Sequence, residues 1–297
     1  MLRAALSAGL QAVDGAAAWG RMAADDWLHL RRTLDGDAID AWDPDYIRRV
    51  LPLWRAGLGA YFRAEVRGIE HIPAQGPCLL VGNHSGGTLI ADTFVFAVAF
   101  YTHFGPERRF HQLAHDIAAR VPATGISRFG AVPASHENAH RAFELGAPVL
   151  VYPGGDYETF RPSWHSDRVE FGERRGFVRL ALEHGVPIVP VVAIGGQETA
   201  LFLTRGQRAA KATGWAALTR IKVLPVAFAP PFGATLLDLP ARLPLPAKIT
   251  VEVLPPIDLE GRFGPDPDHD VVYDEVTSAM QEALSALQDE RTLPVLG

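Results

Sequence analysis

The chain has 297 residues, 48% hydrophobic and 21% charged, which suits one large α/β domain with a helical extension or two small domains. Its formal net charge of −6 argues against a general nucleic-acid binder, although Arg108–Arg109 and Arg174–Arg175 form local basic clusters. Cys78 is the only cysteine, which excludes an internal disulfide and a multi-cysteine zinc site.

The first residues, "MLRAALSAGLQAVDGAAAW", carry a short apolar run broken by Gln11 and Asp14, and read as a retained helix rather than a cleaved signal. Residues 1–64 are expected to be helical and residues 65–297 to form the α/β domain. In "DYIRRVLPLWRAGLGAYFRAEV", Ile47, Val50, Leu51, Trp54, Leu58, Tyr61 and Phe62 share one side at helical spacing. Arg48, Arg49, Arg55 and Arg63 fall largely elsewhere, and Pro52 is placed to kink or divide the helix. Such a helix either packs on its own domain or rests, basic and amphipathic, on an anionic membrane.

From there strands and helices alternate. "PCLLVG" reads as a buried strand, followed by the loop Asn-His-Ser-Gly-Gly and a helix at about 89–103. "RRFHQLA" reads as a strand, followed by helices to about Arg128; "GAVPAS" is a short strand whose Ser135 caps the helix "HENAHRAFELG". "APVLVYPGG" is a buried strand running into a glycine corner, "ERRGFVRLALEHG" a helix and "VPIVPVVAIGG" another strand. "KITVEVLPPI" adds a late strand and "DVVYDEVTSAMQEALSALQDE" a closing amphipathic helix. The pattern predicts a mostly parallel central sheet flanked by helices, with ligands gathered where the strands end. The most apolar helix, "TFVFAVAFYTHF", is too short to span a bilayer, so the chain is expected to be soluble or to lie on a membrane surface.

Between His71 and Pro106 there is no Lys, Arg or Glu, and Asp92 is the only acid. A lone carboxylate in so apolar a stretch needs a partner. His84 stands upstream across the flexible corner Gly86–Gly87; with Thr88 capping the helix, Asp92 falls in its first turn. A carboxylate on one imidazole nitrogen fixes the tautomer and frees the other nitrogen to take a proton from an alcohol. A loop histidine beside a helix-capping aspartate is the alternative.

Two other motifs compete. "HENAH", residues 136–140, matches the His-Glu-x-x-His pattern of zinc peptidases on a helix, with Glu158 a conceivable third ligand; with 11 histidines in the chain and His136 at the helix start, a chance match on an exposed helix face is the preferred reading. Ser85 follows His84 directly but lacks the Gly-x-Ser-x-Gly elbow of a serine hydrolase. A non-catalytic lipid-binding module would need no His–Asp pair.

"GNHSGG…D", then "GAVPAS", "VLVYPGG" and "GVPIVPV", resembles the glycerolipid acyltransferase (PlsC-like) superfamily, in that family's block order over roughly residues 65–255. Usual members place four residues between the histidine and the aspartate. The seven between His84 and Asp92 resemble the branch of diacylglycerol acyltransferases and phytyl-ester synthases. The resemblance implies His84 as general base, Asp92 as its orienting acid, an acyl thioester on coenzyme A or acyl carrier protein as donor, and no metal or bound cofactor. It also implies substrate or oxyanion contacts from Asn83, Gly86, Gly87, Gly154, Gly155 and Glu158. The acyl chain is expected along "TFVFAVAFYTHF" and the apolar faces of the sheet.

The family's second block usually ends in an arginine that grips an acceptor phosphate, where this chain has Ser135–His136; Arg161, Arg174 or Arg175 are the substitutes available. A neutral lipid hydroxyl is therefore the expected acceptor, with lysophosphatidate the alternative. A lipid acceptor implies a peripheral membrane protein, expected on the cytoplasmic face and docked through residues 1–64.

Overall fold

The computed structural model describes residues 38–115, 126–215, 222–239, 242–293 and 295. The helix expected at the start of the chain and those expected after residue 115 lie outside the described residues. The elements run α1 (Pro44–Phe62), β1 (Glu65–Arg67), β2 (Leu79–Gly82), α2 (Ala91–Phe104), β3 (His111–Ala114), β4 (Ala131–Pro133), α3 (His136–Glu144), β5 (Val149–Val151), α4 (Gly155–Thr159) and α5 (Gly176–His184). They continue with β6 (Ile188–Ile194), β7 (Leu201–Thr204), α6 (Gln207–Ala212), β8 (Val226–Ala229), β9 (Gly233–Leu236), β10 (Thr250–Val253), α7 (Leu259–Phe263) and α8 (His269–Asp289).

Seven strands form the central sheet in the order β1-β10-β6-β2-β5-β3-β4. Every pairing is parallel except β10 with β6. β2, β5 and β6 are buried at every residue, as strands covered on both faces must be. Leu79, Val81, Val149, Val151, Ile188 and Val192 face a core shared with α3, α5 and α8. Leu80, Leu150, Val189, Val191 and Val251 face the opposite core, shared with α1 and α2.

Asp43 starts α1, its carboxylate accepting the Tyr46 N–H at 2.8 Å, with Pro44 at the first helical position. The helix runs through Pro52 undivided, because Pro52 is on the exposed side, where the carbonyl it leaves unbonded meets solvent. Tyr46, Ile47, Val50, Leu58 and Phe62 are buried against the sheet and α2, and Trp54 stacks on Phe94 with centroids 5.3 Å apart. Part of the apolar stripe of α1 is thus buried, while Tyr61 on the same stripe is 44% exposed. α2 is packed in the same way: Val95, Phe96, Phe100 and Tyr101 are each at most 2% exposed. The stretch Gly87–Phe104 has a span-like mean hydropathy of 1.3 over 18 residues. It is nevertheless largely buried, and α2 itself, at 14 residues, rises only about 21 Å against the roughly 30 Å of a hydrocarbon core.

Beyond the expected sheet stands a second, antiparallel one of three strands, in the order β7-β8-β9. Its inner face packs Phe202, Ala227 and Ala229 against Phe160 and Val223. The chain then returns through Asp238 and Arg242 to the loop after β2.

Candidate active site

Parallel strands β2, β5 and β6 end on one edge, delivering His84, the corner at Tyr152–Gly155 and Gly195–Gly196 to the same place. Asn83 anchors the first of these ends. Its amide donates to Ala193 O at 2.9 Å and accepts the Ala193 N–H at 2.7 Å, continuing the β2–β6 ladder with a side chain. Asn83 is therefore a buried positioning residue.

The next residue is His84, its side chain 12% exposed, with Nδ1 3.5 Å from Asp92 Oδ2. That is ion-pair range, longer than a formed hydrogen bond, and Nδ1 has no other partner among the described residues. Free enzymes commonly hold such pairs loosely and tighten them on binding substrate. Asp92, 1% exposed, is fixed more firmly. Its Oδ2 accepts from Ser85 N at 2.9 Å and Ser85 Oγ at 3.1 Å, and Oδ1 from Thr93 N at 2.8 Å. Ser85 thus serves the aspartate rather than acting as a nucleophile on His84. Thr88 does not cap α2, whose first turn instead follows Ile90, a β-branched residue held at φ 38°.

The imidazole lies flat on Tyr152, ring centroids 4.2 Å apart and planes 18° from parallel. The Tyr152 hydroxyl is 2.9 Å from Thr93 Oγ1, beside the carboxylate it helps enclose. Burial, with Asp92 nearby, raises the Tyr152 pKa well above the usual phenol range. Tyr152 was invisible as a site residue in the sequence, its only signal being its place before Pro153–Gly154–Gly155. Gly82 makes room for it, since a β-carbon there would sit 2.5 Å from the Tyr152 ring.

Glu158 is fully buried and braces this loop: Oε2 accepts the His84 N–H at 2.9 Å and Oε1 the Glu170 N–H at 2.9 Å. Arg161, 1% exposed, donates to His84 O at 2.6 Å and to the carbonyls of Glu158 and His165. Both residues hold backbone, and Arg161 has no open donor face for a phosphate. Burial pushes the Glu158 carboxyl up to about 7, against the pull of Arg161 and of the His84 N–H. The folded chain then binds more protons than the unfolded one between about pH 4.5 and 7, so the stability from this group falls as pH rises through that window. Thermal melts across the window should show a shallower decline in Glu158→Gln than in the parent chain; equal slopes would assign the proton uptake elsewhere.

Gly86 N–H donates to Gln197 Oε1 at 3.2 Å, and Gly86 O accepts from Arg242 at 2.7 Å. Gly87 O accepts from Thr159, and Thr88 N–H donates to Asp238 at 2.6 Å. Gly87, at φ +63°, has no room for a β-carbon, which would fall 2.1 Å from Asp238 Oδ2. At the β5 corner Gly155 N–H is engaged by Tyr152 O at 3.1 Å, leaving Gly154 N–H as the donor of that pair without a partner among the described residues.

Beside Tyr152 opens a cavity of ≈ 270 Å³ between α3 and α5, lined by Leu113, Phe177 and Leu180 and by Ser135, His136 and Arg174. Ser135 Oγ accepts the Asn138 N–H as the α3 cap, and His136 Nε2 is 3.0 Å from the Arg179 guanidinium. Arg174 donates to Pro153 O and Gly154 O at 3.0 and 2.8 Å. Arg175 is turned away, paired with Asp270 on α8. With Arg179 on His136 and His140 paired to Glu144, the "HENAH" histidines do not converge, and no group of three metal-ligating side chains occurs among the described residues.

Residues 63–194 match the family model described as Acyltransferase. An uncharacterized protein of Mycobacterium bovis is 30% identical over 261 residues, 86% of this chain and 70% of that protein. The chain belongs to the PlsC-like acyltransferase superfamily. Among its similar proteins are the bovine "DGAT1/2-independent enzyme synthesizing storage lipids", 27% identical over 48% of this chain and 42% of that protein, and the Arabidopsis thaliana "Phytyl ester synthase 2, chloroplastic", 31% identical over 44% and 19%. The chain thus spans less than half of either of these relatives. The crystal structure of the 1-acyl-sn-glycerophosphate acyltransferase PlsC from Thermotoga maritima superposes with a TM-score of 0.54 at 15% identity, covering 90% of this chain and 89% of that one, which shows the shared fold. In this acyltransferase the matched span contains His84 and Asp92, and stops short of Gln197, Asp238 and Arg242 that hold their loop.

Proposed function

We propose that the protein transfers a fatty acyl group from an acyl thioester, carried by coenzyme A or an acyl carrier protein, to the hydroxyl of a neutral lipid. The observation that carries this reading is the His84–Asp92 pair, with the aspartate immobilised by three donors and the imidazole stacked on Tyr152. Asp92 favours the proton on Nδ1, so Nε2 accepts the proton of the attacking hydroxyl as oxygen adds to the thioester carbonyl. The carbonyl oxygen takes negative charge, for which Gly154 N–H is the available donor at the corner. Collapse expels the thiolate, which takes the proton from the imidazolium. No metal or bound cofactor enters, and the protein works as a peripheral membrane protein on the cytoplasmic face.

The neutral acceptor is favoured by how the polar residues at the cavity are already engaged. Ser135 caps a helix, His136 meets Arg179, and Arg174 holds two carbonyls, so none presents the open, fixed fork that a phosphate requires. Purified protein should be given an acyl-CoA and a panel of acceptors, with products read by mass spectrometry. New ester is expected on monoacylglycerol, diacylglycerol or a long-chain alcohol in preference to lysophosphatidate in direct competition. Free fatty acid alone would indicate a hydrolase. A lysophosphatidate preference abolished by Arg174→Ala would reverse the acceptor assignment.

A further inference from the structure

The outer face of the small sheet is unusually apolar. Alternation along the strands turns Phe202, Ala227 and Ala229 inward and leaves Leu201, Leu203, Phe228 and Leu236 outward, each at least 40% exposed. Register places Leu201 and Ala234 on either side of Phe228, and Leu236 beside Val226, so these side chains form one continuous surface. Phe232, at the β8–β9 turn, extends it and is 47% exposed. An antiparallel sheet that met only water would alternate to polar residues on this face.

Charge singles out the same region. Between Glu198 and Asp238 the sequence has five cations and no acid, within a chain of net charge −6. Of the cations, Arg205 is taken up inside, paired with Glu170 and lying over Tyr157, whereas Arg208 and Lys211 on α6 and Lys222 before β8 are exposed. An apolar face within a stretch of chain that carries exposed cations and no acid is complementary to an anionic bilayer, whose headgroups meet the cations while the acyl region receives the apolar side chains.

We infer that the outer face of the β7–β9 sheet is the surface through which this protein docks on anionic membranes. The inference shares with the proposed function the premise that the acceptor is a lipid. Its geometry connects docking to the site: Phe202, on the inner side of β7, lies against Gly87, and Asp238, just beyond β9, holds Thr88. A membrane on the outer face is therefore one sheet away from the loop that carries His84.

The test is sedimentation of the full chain with phosphatidylcholine vesicles, with and without phosphatidylglycerol. Wild type should bind the anionic vesicles and release them as salt rises. Leu203→Ser with Phe228→Ser, and separately Arg208→Glu with Lys211→Glu, should each lower the bound fraction about tenfold or more. Turnover of a short-chain thioester with a water-soluble alcohol should be unchanged in both. The charge-reversal pair is exposed and tests docking even if the serine pair unfolds. Undiminished binding by folded charge-reversal protein would overturn the assignment, as would light scattering that shows a dimer dispersed by the same substitutions. Vesicle binding without turnover in wild type would instead remove the acyl-transfer reading and leave the docking surface standing.

Discussion

His84→Ala is expected to lower kcat for acyl transfer by at least about a hundredfold, with the melting temperature and KM for the thioester little changed. The ring makes few structural contacts that alanine would leave in need: its Nδ1 forms no hydrogen bond, and the loop is held through the His84 backbone by Glu158 and Arg161. Asp92→Asn should be comparably severe for a different reason. An amide in place of the carboxylate would present hydrogens to N–H groups of Ser85 or Thr93, and its carbonyl would supply no charge to the imidazolium. It should therefore lose stability as well as rate, whereas His84→Ala loses rate alone. Near-normal turnover by folded His84→Ala protein would remove the histidine from the chemistry.

Asp238→Ala should be among the most destabilising single changes in the chain, about 3–5 kcal/mol by chemical denaturation. Asp238 and Arg242 are ion-paired with side chains 0% and 2% exposed, and removing the carboxylate leaves a guanidinium buried beside Phe202 without its counter-charge. The same carboxylate accepts both Thr88 N and Thr88 Oγ1, so the glycine corner after His84 loosens too. Combining Asp238→Ala with Arg242→Met removes the uncompensated charge and should recover part of the stability but not the activity, because Gly86 O then loses its Arg242 donor as well. Additive losses in the double variant would mean that the two residues act independently.

What was legible in the sequence was what repeats or concentrates. β2, β5 and β6 are unbroken apolar runs because both faces are covered, and α3 shows its Ser135 cap and glycine stop within a dozen residues. His84 and Asp92 stood out because they are the one histidine and the one acid of residues 81–94, an otherwise uncharged run. The small sheet was missed because β7 and β8 carry apolar residues on both faces and lack the alternation that marks a surface strand. Thr88 looked like a cap because hydroxyls at that spacing usually are. Its N–H and hydroxyl are instead drawn 150 residues along the chain to Asp238, which no local pattern encodes. Arg161 looked like an anion ligand by its charge; only burial shows that its donors are taken up by carbonyls.

The bond from Thr88 to Asp238 also sets a schedule for a chain made from one end. A ribosome delivers His84 and Asp92 together with the strand that bears them, yet two of the side chains that lock their loop, Asp238 and Arg242, lie about 150 residues further along. Until Arg242 is released, the nascent polypeptide has His84 on a corner held by Glu158, Thr159, Arg161 and Gln197 but still lacking its last anchor. The full set of anchors around His84 is thereby deferred until Arg242 is made, and a chain that stops short of Asp238 would carry the motif without them.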